Sequence, residues 1–160
     1  MNTYYTIESR TEGLYKEKGS KFLAFAFPVS SEEDIKKFQE ELRTKYYDAR
    51  HHCFAWVLGL DNQRWRANDD GEPAHSAGDP ILGQIRSFEL TNVLIVVIRY
   101  FGGTKLGVGG LINAYKTASE EALTQAKKVE VFETKHLTVK FSYEDMSIVE
   151  RLVADFEINV

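Results

Sequence analysis

Between Asn92 and Tyr100 the chain carries an unbroken apolar run, Val93 to Ile98, with no polar residue in alternation. A strand that lacks alternation is covered on both faces, so this segment is predicted to be a central strand. Thr3 to Arg10 and Lys21 to Val29, rich in Tyr, Ile and Phe, are predicted strands. The glycines between them, Gly13 and Gly19, mark a hairpin-like connection. His51 to Gly59 is a further predicted strand. Its period of two puts His51, Cys53 and Ala55 on one face and His52, Phe54 and Trp56 on the other. Arg64 to Ala67 returns beside it after a turn at Leu60 to Asn62.

Helical periodicity appears in four places. Ser31 with Asp34 three residues on forms a capping-box pattern, and Ile35, Phe38 and Leu42 share a face of a helix ending near Tyr46. Asp79-Pro80 supplies an N-cap and a first-turn proline for a helix whose buried face is Ile81, Leu82, Ile85 and Phe88. Leu111, Ala114, Tyr115, Ala118 and Ala122 follow a 3.6-residue period, predicting a helix to about Lys127. Beyond it, Val129 to Phe141 reads as extended. Met146, Val149, Leu152, Val153 and Phe156 mark a helix, and Ile158 to Val160 reads as the first residues of a strand. These last pieces are too few to close a core of their own.

Composition adds limits. The chain has 160 residues, 43% hydrophobic and 28% charged, with 11 Gly and 3 Pro. That is the balance of a globular protein with one or two small domains, and not of a disordered or fibrous one. No apolar run approaches the ~18 residues a membrane span requires. The first twenty residues are polar and mixed in charge, without a signal-peptide pattern, and Cys53 is the sole cysteine. A reducing, cytoplasmic location without membrane attachment is the expectation.

The net charge of −4 disfavours wholesale coating of nucleic acid. Two stretches depart from the average in opposite directions. Asp61 to Asp79 nets −3, and Arg99 to Ser119 nets +3 with no acid at all. The basic stretch contains five glycines between Gly102 and Gly110, placed between the central strand and a helix. Glycine amides at a helix start can cradle an anion, and Arg99 and Lys105 would strengthen the field. Alternatively, the glycines serve a tight turn and close packing of helix on sheet. Neither established phosphate-loop spacing fits, since Val108 stands where one needs lysine and Ile112 where the other needs glycine.

In the acidic stretch, Asn68-Asp69-Asp70-Gly71-Glu72-Pro73, three carboxylates within four residues could hold Mg²⁺ or act as acid and base, but the ligand spacing of a calcium loop is missing. Asx turns and pairing of Asp70 or Glu72 with an arginine account for its residue types without chemistry. Around Arg50-His51-His52-Cys53, a zinc site or a thiol–imidazole pair with His75 can be drawn. One cysteine is too few for structural zinc, and Cys53 in an apolar strand reads as a buried small hydrophobe. There is no G-x-S-x-G elbow.

Taken together, Asp48-Ala49-Arg50-His51-His52-Cys53, Asp70-Gly71-Glu72-Pro73 with Ala77-Gly78, Arg99-Tyr100-Phe101-Gly102-Gly103 and Leu106-Gly107-Val108-Gly109-Gly110-Leu111 resemble the IMPACT family in its bacterial YigZ branch. The resemblance runs in register from about Lys18 to Lys128. It departs from the common pattern at His75 and Ser76, where glycine followed by threonine is usual. The resemblance implies an α+β fold like ribosomal protein S5 domain 2, a mixed sheet backed by helices, over residues 1–130. It also implies that residues 131–160 are a partial C-terminal ferredoxin-like module, with Thr134 to Val160 as its first strand, helix and strand stub. Eukaryotic relatives bind the large activator of a starvation-responsive translation-initiation kinase, a pathway bacteria lack, so that partner does not carry over.

The resulting expectation is a non-enzymatic regulator linked to translation or stress, binding RNA, the ribosome or a translation-related protein. The alternatives are an enzyme acting on a phosphorylated small molecule and a pure protein-binding adaptor. The expected binding residues are Asp69, Asp70, Gly71 and Glu72 from the acidic stretch, and Arg99, Tyr100, Gly102, Gly103, Lys105, Gly107, Gly109 and Gly110 from the basic one. Arg50, His51, His52 and His75 are accessory candidates. No catalytic residue, metal or cofactor is expected. The two loops are expected to meet, with Arg99 or Lys105 approaching Asp69, Asp70 or Glu72.

Overall fold

A computed structural model describes residues 3–132 and 142–155. In chain order the elements are β1 (Thr3–Ile7), β2 (Thr11–Glu17), β3 (Ser20–Pro28), α1 (Glu32–Lys45), β4 (His51–Leu58), β5 (Arg64–Asn68), α2 (Gly78–Ser87), β6 (Val93–Tyr100), α3 (Gly107–Thr124), β7 (Lys128–Phe132) and α4 (Met146–Asp155). Five strands form one sheet in the order β2-β3-β6-β4-β5. The unalternating apolar run therefore lies at its centre, as its pattern predicts.

Helices cover both faces. On one, α1 lays Ile35 and Leu42 over Phe25, Phe27, Phe54, Trp56, Leu94, Val96 and Ile98. On the other, α2 and α3 pack Ile81, Ile85, Ala114, Tyr115 and Ala118 against Phe22, Ala24, Cys53, Ala55, Ile95 and Val97. The α+β class and the helix-backed sheet follow the expectation. Each hydrogen-bonded pairing in the sheet is antiparallel. The mixed character implied by the resemblance reduces to β3 and β4, which run parallel with β6 between them.

Three boundaries differ from the sequence reading. Thr3 to Arg10 is not one strand paired to β3. β1 stops at Ile7 and pairs with β7 in a separate two-stranded sheet. The hairpin partner of β3 is β2, joined through Lys18 and Gly19 at φ 47° and 83°. Two consecutive positive φ values make the tight turn whose twist matches paired strands. Gly13 is thus inside a strand. A Cβ there would stand 2.5 Å from the Ala122 amide nitrogen and 2.6 Å from the Ala118 oxygen, so the glycine marks the close approach of α3 to β2.

α2 begins at Gly78, and its cap is not Asp79. Asp69, nine residues upstream, accepts hydrogen bonds from the amides of Ala77 (3.1 Å) and Gly78 (2.8 Å) through Oδ1, and from His75 (2.9 Å) through Oδ2. α3 begins at Gly107 and not at Leu111, so three of the five glycines belong to its first turn. The helix anticipated around Met146 is present as α4. The extended segment after Phe132 and the strand stub at Ile158 to Val160 lie outside the described residues.

Candidate functional site

The antiparallel register sets His51 of β4 opposite Arg99 of β6, and Arg99 opposite Phe22 of β3. All three lie at one end of the sheet, on the face covered by α3. The segment from Asn68 to Ala77 folds over this end. The Asn68 side chain accepts from the Asp70 amide at 2.8 Å, forming an Asx turn. The Asp70 carboxylate takes the amide of His52 at 2.7 Å, and Gly71, at φ 86°, passes beside the His51 ring. With Asp69 capping α2 and Asp70 satisfying β4, two of the three carboxylates serve the loop's own fold.

Glu72 is the third, and it turns inward. Arg99 Nη1 lies 3.0 and 2.9 Å from its two carboxylate oxygens, and the Tyr115 hydroxyl donates to Oε2 at 2.5 Å. Only 4% of the Glu72 side chain and 7% of the Arg99 side chain is exposed. The acidic and basic stretches therefore meet, as expected, through Arg99 and Glu72. A charge buried this deeply is tolerable only with its counter-ion and hydrogen bonds in place.

Around the pair, the guanidinium of Arg99 sits 5.5 Å from the ring centroids of both Phe22 and Phe101. Arg99 Nη2 also approaches the Ser20 hydroxyl at 3.4 Å. His51 Nδ1 donates to the Asp70 carbonyl oxygen at 2.8 Å, and Nε2 faces Glu72 at 3.6 Å. Behind the cluster, the Cys53 thiol lies 3.0 Å from the Asp69 carbonyl and 3.3 Å from the Tyr115 hydroxyl. Burial pushes the Cys53 thiol far above its ordinary 9.0. Burial, with Cys53 and Glu72 beside it, does the same to the Tyr115 phenol. Both are held neutral, and Cys53 is a buried core residue, as the sequence suggested.

In front of the cluster a cleft of about 630 Å³ opens between the Asp48–His51 segment, Glu72-Pro73, the Arg99–Phe101 strand end and the start of α3. Arg50, His51, Glu72, Arg99, Tyr100, Lys105 and Gly107 line it, as do Asp48, Pro73, Phe101, Leu106, Val108 and Leu111. Asp48 is engaged by the Tyr100 hydroxyl at 2.7 Å. Desolvation, and then this bond, pushes the Tyr100 phenol up to about 12. Arg50 and Lys105 are exposed and form no ion pair among the described residues. The first turn of α3 holds no acid, and no side chain caps it.

Several candidates lie elsewhere. His52 points to the α1 face, where Nε2 donates to the Tyr46 carbonyl at 3.0 Å. His75 is exposed and pairs with Asp79 at the start of α2. Asp69, Asp70, Gly71, Gly102, Gly103, Gly109 and Gly110 support or flank the cleft without lining it. Two residues that the sequence reading did not count among the binding candidates, Phe101 and Val108, line it, and Tyr115 holds Glu72 from behind. Phe101 and Val108 are 57% and 51% exposed. An aromatic residue between a buried strand and two glycines has no core to enter, which is the signal that could have marked Phe101. Among the described residues no group of three or more His, Cys, Asp or Glu side chains could hold a metal ion, and no helix is long and apolar enough to cross a membrane.

A helix-covered antiparallel sheet, opening at one end into a cleft floored by a neutralised ion pair, defines a class of small α+β domain. The chain belongs to the IMPACT family: the Impact N-terminal domain matches residues 18–123. It is 37% identical over 138 residues to the IMPACT family member YigZ of Escherichia coli, covering 85% of this chain and 68% of that protein. It is 36% identical to the IMPACT family member YvyE of Bacillus subtilis, covering 81% of this chain and 60% of YvyE. A crystal structure described as that of a hypothetical protein superimposes with a TM-score of 0.83 at 33% identity, covering 99% of this chain and 80% of the other.

Proposed function

We propose that this chain is a non-catalytic regulator linked to translation, acting in the cytoplasm, whose cleft holds RNA, free or within the ribosome. Family membership supports the link to translation. One observation carries the choice of ligand: the cleft's buried acid is already consumed by Arg99 and Tyr115, while its two rim cations, Arg50 and Lys105, form no ion pair among the described residues. An anionic ligand gains from those cations and meets no opposing free carboxylate at the base of the cleft. The same consumption argues for binding over catalysis, since the Glu72 carboxylate and the Cys53 thiol are held in saturated, buried positions. Residues 131–160 are read as part of a second module.

A salt titration of RNA binding tests the reading. Two cations release few counterions, so log affinity against log salt should fall with a slope of about −1.4 on single strands. Lys105→Ala should flatten that slope by about 0.7 and weaken all sequences alike. Absence of binding at low salt would move the function to a protein-binding adaptor.

A further inference from the structure

We infer that the RNA held in this cleft is single-stranded, with an unpaired base stacked on Phe101. The inference rests on the proposed RNA-binding reading and assigns its mode. Phe101 is 57% exposed, yet it is not free to wander. The Arg99 guanidinium lies 5.5 Å from its ring centroid, and that guanidinium is fixed in turn by Glu72 at 2.9 Å and by the Phe22 ring behind it. An exposed aromatic ring positioned by a buried ion pair is a stacking platform whose ordering cost is met within the fold. Base–aromatic stacking of this kind is indifferent to sequence and is available to bases of single strands.

The surroundings of Phe101 suit the rest of a nucleotide. Val108 and Leu106 continue the apolar wall, and Lys105 and Arg50 stand at the rim as partners for phosphate. Asp48, the remaining acid of the lining, is turned to the Tyr100 hydroxyl. Bases inside a duplex are stacked on each other and cannot reach such a platform. The cleft should therefore separate single strands from duplexes, which a purely electrostatic groove would not do.

The test uses a labelled single-stranded oligoribonucleotide of mixed sequence and its blunt duplex, titrated by fluorescence anisotropy against the whole chain, Phe101→Ala, Phe101→Trp and Lys105→Ala. The single strand should bind on the order of tenfold tighter than the duplex, and Phe101→Ala should remove on the order of tenfold of single-strand affinity. Phe101→Trp should retain binding. Its added indole fluorescence should be quenched on titration, beyond any change in the two native tryptophans of the parent chain. Equal binding of both forms, an unaffected Phe101→Ala or an unquenched Phe101→Trp, while Lys105→Ala still weakens binding, would overturn the stacking mode and leave the RNA cleft standing. Failure of the parent chain to bind either form would overturn both. If Phe101→Ala unfolds, the Phe101→Trp quench decides.

Discussion

Gly102 and Gly19 pack backbone to backbone: a Cβ on Gly102 would stand 2.0 Å from the Gly19 carbonyl carbon and 2.3 Å from the Ser20 nitrogen. The Ser20 hydroxyl completes the junction by accepting from the Gly102 amide at 3.1 Å. The β2–β3 turn is thereby fastened to the segment that leads into the cleft. Gly109 is the opposite case, with nothing within 4 Å of an added Cβ and no positive φ.

The contrast yields a pair of expected outcomes. Gly102→Ala forces the two backbones apart and should cost about 1–3 kcal/mol in urea denaturation. Gly109→Ala should leave stability unchanged or raise it by up to about 1 kcal/mol, since alanine is the better helix former. A side chain at Gly109 meets no obstacle in its backbone conformation. If Gly109→Ala weakens RNA binding while stability holds, ligand approach is the reason for glycine there.

Removing Glu72 should be far more harmful than removing a surface acid. Glu72→Ala strands the buried Arg99 guanidinium and the Tyr115 hydroxyl, at a cost of about 3–5 kcal/mol. The double variant with Arg99→Met should lose less than the sum of the single losses, because the stranded charge is gone. A double-mutant cycle in urea measures this, and simple additivity would contradict the coupling described here.

Alkaline pH should destabilise the fold through Cys53 and Tyr115. Both are held neutral in the folded state, whereas the unfolded chain releases their protons from about pH 9.0 and 10.0. Above those values the unfolded state binds fewer protons than the folded state, so stability falls as pH rises. Urea midpoints between pH 8 and 11 should show the decline, and Cys53→Ala should remove its earlier limb. In the native protein the thiol should resist an aromatic disulfide reagent at neutral pH and react once unfolded.

Acid should act through His52. Burial lowers its pKa below the ordinary 6.5, its Nε2–H is spent on the Tyr46 carbonyl, and its Nδ1 makes no hydrogen bond among the described residues. Below pH 6.5 the unfolded state takes up the proton first, so this contribution is present above 6.5 and is lost as pH falls through the lowered folded value. Stability measured from pH 7.5 down to 5 should decline, and His52→Asn should show a flatter profile from a lower baseline.

The sequence by itself determined the elements whose signal is local. Val93 to Ile98 announced a doubly covered strand because each residue must leave water on whichever face it points to. Ser31 and Asp34 announced the start of α1 because a cap acts over three residues; the Ser31 hydroxyl indeed receives the Asp34 amide at 3.2 Å. The ordered motifs from Asp48 to Leu111 likewise identified the family. Tertiary structure alone decided what each acid does. Asp69, Asp70 and Glu72 are chemically near-equivalent and adjacent, yet one caps α2, one satisfies the edge of β4 and one neutralises Arg99. Their assignments depend on which strand ends the register brings together, across separations of 9, 18 and 27 residues. The same holds for β1, whose partner β7 lies at the far end of the described domain, and for Gly13, whose meaning appears only when α3 lies across it. Periodicity encodes how much of a residue is buried; it carries no information about which distant residue does the burying.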